Sequence, residues 1–152
     1  MNTSGLFVGG FFVVGLAVAG WQFMQPAPAT QVNSMVPPDT SDIEQGDPIA
    51  QVRLPGELSP EAGIGKTIFE AKCAACHGQN AAGQNGVAPP LIHKIYEPGH
   101  HSDASFLQAA QRGVTSHHWN FGNMPPIEGL TRADVQYIAR YVRELQRENG
   151  IN

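Results

Sequence analysis

Five consecutive residues, Cys73-Ala74-Ala75-Cys76-His77, constrain this chain more than any other stretch. The spacing Cys-x-x-Cys-His is that of a c-type haem attachment site. Two thiols add across the two vinyl groups of haem, and a two-residue spacer lets both reach one porphyrin edge. The histidine beside the second thiol then falls under the iron and supplies a nitrogen ligand. Three other readings compete. A thioredoxin-like redox pair shares the Cys-x-x-Cys spacing, but it needs a βαβ surrounding that this sequence does not offer. A structural zinc site needs four ligands, and the chain has two cysteines. A structural disulfide leaves His77 without a role.

The length of 152 residues suits one domain with appendages. Nine basic residues against thirteen acidic give a net charge of −4. That balance excludes the basic footprint of a nucleic-acid binder. Seventeen glycines and twelve prolines favour loops over long regular elements. Haem joins this motif outside the cytoplasm, so the motif itself places the domain in a periplasm or an equivalent space.

Residues 1–24 are expected to form a transmembrane anchor. The run Gly5 to Met24 holds no charged residue. Its twenty residues, at about 1.5 Å each, cover about 30 Å, the hydrocarbon thickness of a bilayer. Trp21 stands where an interfacial aromatic belongs. A cleaved signal peptide is the competing reading, with Ala27-Pro28-Ala29 as its small-residue site. The run is longer than a usual signal core, and no Lys or Arg precedes it. Gly5-x-x-x-Gly9 and Gly15-x-x-x-Ala19 offer small-residue faces to a partner helix. The expected location is the inner membrane, as a single pass with the carboxy-terminal domain on the periplasmic side.

Residues 25–56 read as a Pro-rich acidic tether. Pro26, Pro28, Pro37, Pro38, Pro48 and Pro55 interrupt regular structure, and Asp39, Asp42, Glu44 and Asp47 keep it solvated. Fully extended, it would reach about 100 Å. The alternative is that Asp47 to Leu54 packs along the domain that follows.

Residues 57–152 form the haem domain, with eight basic and nine acidic residues. A first helix is capped by Ser59, opens on Pro60 and continues to Cys73, with Ile64 and Ile68 on one face. A loop follows from Gly78 to about Gly99. A second helix covers Asp103 to Arg112 and stops at Gly113. A last helix opens at Thr131, with Asp134 completing a capping box and Leu130 and Val135 a hydrophobic staple. Val135, Ile138, Ala139, Val142 and Leu145 form its apolar stripe.

In this order the elements resemble the class I monohaem cytochromes c, in their membrane-anchored bacterial form. The resemblance covers about Glu57 to Asn152. Gly65 and Phe69 resemble the family's glycine-then-aromatic pair, with Tyr141 as the aromatic that the last helix offers. Ala88-Pro89-Pro90-Leu91 resembles the family's Pro-x-Leu and places Pro89 and Leu91 beside the haem. The likeness implies that the Pro89 carbonyl accepts the ring N–H of His77, which orients the imidazole and raises its basicity. Gly122-Asn123-Met124-Pro125-Pro126 resembles the loop that presents a distal methionine. The implied fold is all-α, three to four helices around one covalently attached haem c. The implied cofactor-binding set is Cys73, Cys76, His77, Pro89, Leu91 and Met124, with His77 and Met124 on the metal.

Met124 is the domain's one methionine, and the two prolines after it stiffen its loop. A core-filling methionine is the competing reading. His93, His100, His101, His117 and His118 depart from the family pattern. They read as surface histidines, some bonded to haem propionates, with a distal histidine or a second metal site as alternatives. Tyr96, Trp119 and Arg112 are candidates for haem-edge contacts.

An iron ligated on both faces has no open position, which implies a carrier and no catalytic residue. The expected function is one-electron transfer between membrane complexes, from a quinol-oxidising complex to a terminal oxidase or photosynthetic reaction centre. A fixed subunit of a respiratory or dehydrogenase complex is the second reading. A haem-based sensor, which needs an open iron, is the third.

Overall fold

A computed structural model describes residues 34–152 of the chain. The expected membrane anchor and the start of the expected tether lie outside the described residues. Among those described, no helix is long and apolar enough to cross a membrane.

The described fold is all-α, with four helices joined by long loops. Helix α1 spans Pro60–Lys72, and its first turn is held by Ser59 Oγ, which accepts the Ala62 amide. Glu144 reaches across from the last helix to accept both the amide and the hydroxyl of Ser59. The one-turn helix α2, Ala74–His77, follows directly. Helix α3 spans Asp103–Arg112 and ends at Gly113, as its sequence predicts. Helix α4, Arg132–Glu148, carries the reciprocal cap between Thr131 and Asp134. Short 3-10 turns at Gln79–Ala81 and Lys94–Tyr96 punctuate the loop between α2 and α3. Among the described residues there is no strand, only two isolated antiparallel bridges, Gln84 to Ala88 and Val114 to Met124.

Helices α1 and α4 cross to make the core. Gly65 lies at the crossing, where an added Cβ would sit 1.9 Å from the Tyr137 carbonyl oxygen. Phe69 and Tyr141 meet beside it with ring centroids 5.6 Å apart. The whole expected stripe of α4 is buried. The expected face of α1 is corrected. Ile64 is 48% exposed, and the buried face is Ala62, Gly65 and Phe69. The small residues on this face admit α4 closely, which turns Ile64 outward, while Ile68 stays partly buried against the core.

The segment before α1 packs on the domain, as the alternative for Asp47 to Leu54 anticipates. The packing also begins earlier. Asn85 Nδ2 donates to the carbonyls of Thr40 and Ile43. Gly46 N donates to Asn85 O, and Ile49 N and Ala50 N both donate to Ala82 O. Ile49 and Ala50 are buried. Asn149, just beyond α4, accepts the Arg53 amide and donates to the Arg53 carbonyl. The part of the expected tether from Thr40 to Ala50 therefore flanks the loop that follows the Cys-x-x-Cys-His motif, and Arg53 fastens to the end of α4.

Two buried polar residues of α4 fasten the loop between α2 and α3. Arg143 Nη1 donates to the Tyr96 carbonyl at 2.6 Å, Nη2 donates to the His101 carbonyl, and Nε pairs with Asp103 at 2.8 Å. Gln146 Nε2 donates to the carbonyls of Leu91 and Tyr96. Asp103 is 70% exposed, so its ion pair adds little. The larger contribution comes from carbonyls that burial would otherwise leave without donors. Arg143→Met is expected to lower the unfolding free energy by about 2–4 kcal/mol, read by guanidinium titration.

Candidate haem site

The motif closes α1. Cys73 caps that helix and is half-buried against the core, whereas Cys76 is exposed, and both thiols are free. Burial, followed by the neighbouring Cys76, pushes the Cys73 thiol up to about 11. A redox-active Cys-x-x-Cys pair needs a depressed thiol, so this environment does not fit the thioredoxin reading. Gln84 Nε2 donates to the carbonyls of Ala74 and Ala75 at 3.2 and 3.1 Å, which holds the turn between the thiols. The sequence gives no sign of that role.

His77 Nδ1 lies 2.9 Å from the Pro89 carbonyl oxygen. A carbonyl can only accept, so Nδ1 carries the proton and Nε2 keeps its lone pair. Burial lowers the proton affinity of the ring, opposed by the bond to Pro89. The loop from Gly78 to Leu91 is shaped for this bond. Gly83 N donates to the His77 carbonyl at 2.7 Å, and Leu91 N donates to the Ala81 carbonyl. Gly83 takes φ +74°, and an added Cβ would meet Pro90 N at 2.5 Å. Asn80 and Ala81 also occupy the left-handed region, and the Tyr141 hydroxyl donates to Asn80 Oδ1.

A cavity of about 520 Å3 opens beside the motif. Cys76, His77, Pro89, Leu91 and Met124 all line it, with Phe106, Val114 and Phe121 among its apolar walls. Met124 and Val114 exchange both backbone hydrogen bonds, at 3.0 and 2.9 Å, which closes the loop between them. Asn123 Oδ1 accepts the Ser116 amide inside that loop.

The candidates for haem-edge contacts divide. Tyr96 and Trp119 line the cavity, and Arg112, at the exposed end of α3, does not. Burial keeps the Tyr96 phenol well above its ordinary value, so it remains a neutral donor. Trp119 Nε1 is buried beside the Tyr96 hydroxyl, with no hydrogen bond of good geometry among the described residues. Such an orphan donor on the cavity wall suits a bound group that carries acceptor oxygens.

The histidines divide as well. His93 is 1% exposed, which corrects its reading as a surface residue. Its Nδ1 accepts the Ile95 amide, its ring meets Trp119 edge-on at 5.3 Å, and burial lowers its pKa to about 4. His101, His117 and His118 line the cavity, and His100 stands outside it against His118.

The residues fit a covalently attached haem. They offer a thiol pair next to the cavity, an imidazole with a fixed tautomer, a thioether on the same cavity, apolar walls and an orphan donor. The fold and the site together define a haem-binding electron-transfer domain. The cytochrome c family model matches residues 62–146, more than half of the 152 residues, and the chain belongs to the cytochrome c family. Its cofactor is one covalently attached haem c, whose iron takes up and returns a single electron.

The chain is similar to the cbb3-type cytochrome c oxidase subunit CcoP of Cereibacter sphaeroides. It is 34% identical over 85 residues, which are 53% of this chain and 26% of that relative. It is also similar to the cbb3-type cytochrome c oxidase subunit FixP of Bradyrhizobium sp. There it is 35% identical over 94 residues, 60% of this chain and 30% of that relative. The chain thus spans less than a third of the length of these curated relatives. No solved structure matches it.

Proposed function

We propose that this protein is a membrane-anchored one-electron carrier, moving electrons from a quinol-oxidising complex to a terminal oxidase. The observation that carries the reading is that His77 and Met124 line one cavity beside the thiol pair. In this reading Cys73 and Cys76 hold the haem, Pro89 fixes the His77 ring, and Leu91 packs on the haem. His77 and Met124 would both hold the iron, which would then have no position open for substrate. The chain's own work is then ligation, exclusion of water and presentation of one haem edge. Gly5 to Met24 would insert in the lipid bilayer of the inner membrane, with the domain on the periplasmic side. Anchoring raises the effective concentration at partner complexes, up to the millimolar range when reach matches the gap.

A second reading is a fixed subunit of a membrane complex, with the anchor packed through Gly5, Gly9 and Gly15. The names of both relatives, each an oxidase subunit, favour it. Mild detergent extraction followed by size-exclusion chromatography separates the two. The carrier reading expects the haem protein to elute alone and to reduce added oxidase. Co-elution with other haem subunits in a constant ratio would replace it with the fixed-subunit reading.

A further inference from the structure

Among the described residues, a cluster of three metal-ligating side chains outside the thiol motif lies at the rim of the haem cavity. His100 and His101 sit on the turn that follows Tyr96, where both of their amides donate to the Glu97 carbonyl. His118 comes from the loop that Val114 and Met124 close, eighteen residues further along the chain than His100. One ring nitrogen from each of the three lies within 4.8 Å of the others.

We propose that His100, His101 and His118 form a second metal site, which takes one divalent zinc-like or copper-like cation through three imidazoles. The site is distinct from the haem iron, although His101 and His118 also line the haem cavity, and it rests on the reading above that Met124 and not His118 holds that iron.

Three features of the geometry support it. First, His100 Nε2 and His118 Nε2 are 3.2 Å apart. Two nitrogens on a tetrahedral zinc, each at about 2.05 Å, stand about 3.3 Å apart, so this pair already has the spacing of one edge. Second, His101 Nδ1 lies 2.7 Å from the Ile95 carbonyl. Nδ1–H donates to that carbonyl, which leaves Nε2 with its lone pair, the outer bond typical of a metal-bound histidine. Third, the rings converge with no carboxylate between them. His101 is T-shaped to both His100 and His118, with centroids 4.7 and 5.4 Å away. The nearby Arg143 guanidinium is already paired with Asp103 and bonded to the His101 carbonyl, so it does not occupy the cluster.

Imidazole is the donor that zinc and copper share, and the oxygen-preferring magnesium and calcium are excluded by the absence of acid groups in the set. Three protein ligands leave a fourth position for water. His117, with its ring 4.4 Å from that of His118, stands at the edge of the site without completing the set.

The test uses the full haem-loaded chain in detergent. Titration with zinc ions in a calorimeter is expected to give one saturable site per chain. His100→Gln lies outside the haem cavity, so it should leave the haem absorption spectrum unchanged and weaken zinc binding at least about tenfold. Copper(II) should bind at the same site, more tightly than zinc, and its pulsed paramagnetic resonance should count three imidazole nitrogens. Absence of saturable zinc binding overturns the proposal. So does binding that His100→Gln leaves intact, or a copper signal with fewer than three imidazoles.

Discussion

Met124→Ala should convert this domain from a closed carrier into one that binds carbon monoxide. The substitution removes the thioether and leaves the loop that presents it. Both hydrogen bonds between Met124 and Val114 are made by backbone atoms, and an alanine keeps them. Gly113 adds a second constraint. It takes φ +74°, and a Cβ there would sit 2.4 Å from the Met124 carbonyl oxygen. The loop is thus shaped by its backbone and by Pro125 and Pro126, not by the methionine side chain. Three results are expected together. The ferric protein loses its weak sulfur-to-iron band in the far red, the reduced protein binds carbon monoxide at neutral pH, and the potential falls. The fall should be on the order of a hundred millivolts, well inside the about 0.8 V range that axial ligands span. Met124→His should stay low-spin and also lower the potential, because imidazole favours ferric iron more than thioether does. An unchanged spectrum and potential in Met124→Ala would remove Met124 from the iron and make His117 or His118 the ligand to test.

The boundaries of α1, α3 and α4 were legible because their ends carry local signals. Ser59 with Pro60, Gly113 after Arg112, and Thr131 with Asp134 each act within one turn. The bond from His77 to Pro89 was also legible, but through a family resemblance rather than through spacing. Contacts over long sequence distances were not. Arg143 follows Val142 of the apolar stripe and looks like a solvated charge, yet it is buried because two loop carbonyls and the Gln146 side chain converge on it. Gln84 looks like an ordinary loop residue, yet its amide spans the thiol turn. His93 sits among histidines that reach the surface, and it is buried because its loop folds it against Trp119. The face of α1 was misread for a related reason. Periodicity places the large Ile64 beside Ile68 on the core face, whereas the close helix crossing selects the small Gly65 and leaves only Ile68 against the core.

That crossing gives a second large expected effect, on stability. Gly65→Ala should cost about 3 kcal/mol, at the upper end of what overpacking a tight core costs. The new methyl would meet Tyr137 O at 1.9 Å and Tyr137 C at 2.5 Å. Both are backbone atoms of α4, so no side chain can turn aside, and the two helices must separate. Separation also loosens Phe69 from Tyr141, and with it the hydroxyl bond that holds Asn80 in the loop after His77. For a domain of this size the loss corresponds to about 10–20 °C in Tm. Gly63 provides the control from the same helix. It has no heavy atom within 4 Å of an added Cβ, so Gly63→Ala should be neutral or stabilise by up to about 1 kcal/mol through helix propensity. Thermal unfolding of the haem-loaded proteins, followed through the haem absorption, compares the two. If Gly65→Ala unfolds within a few degrees of the Gly63→Ala protein, α1 and α4 do not pack at the distance described here.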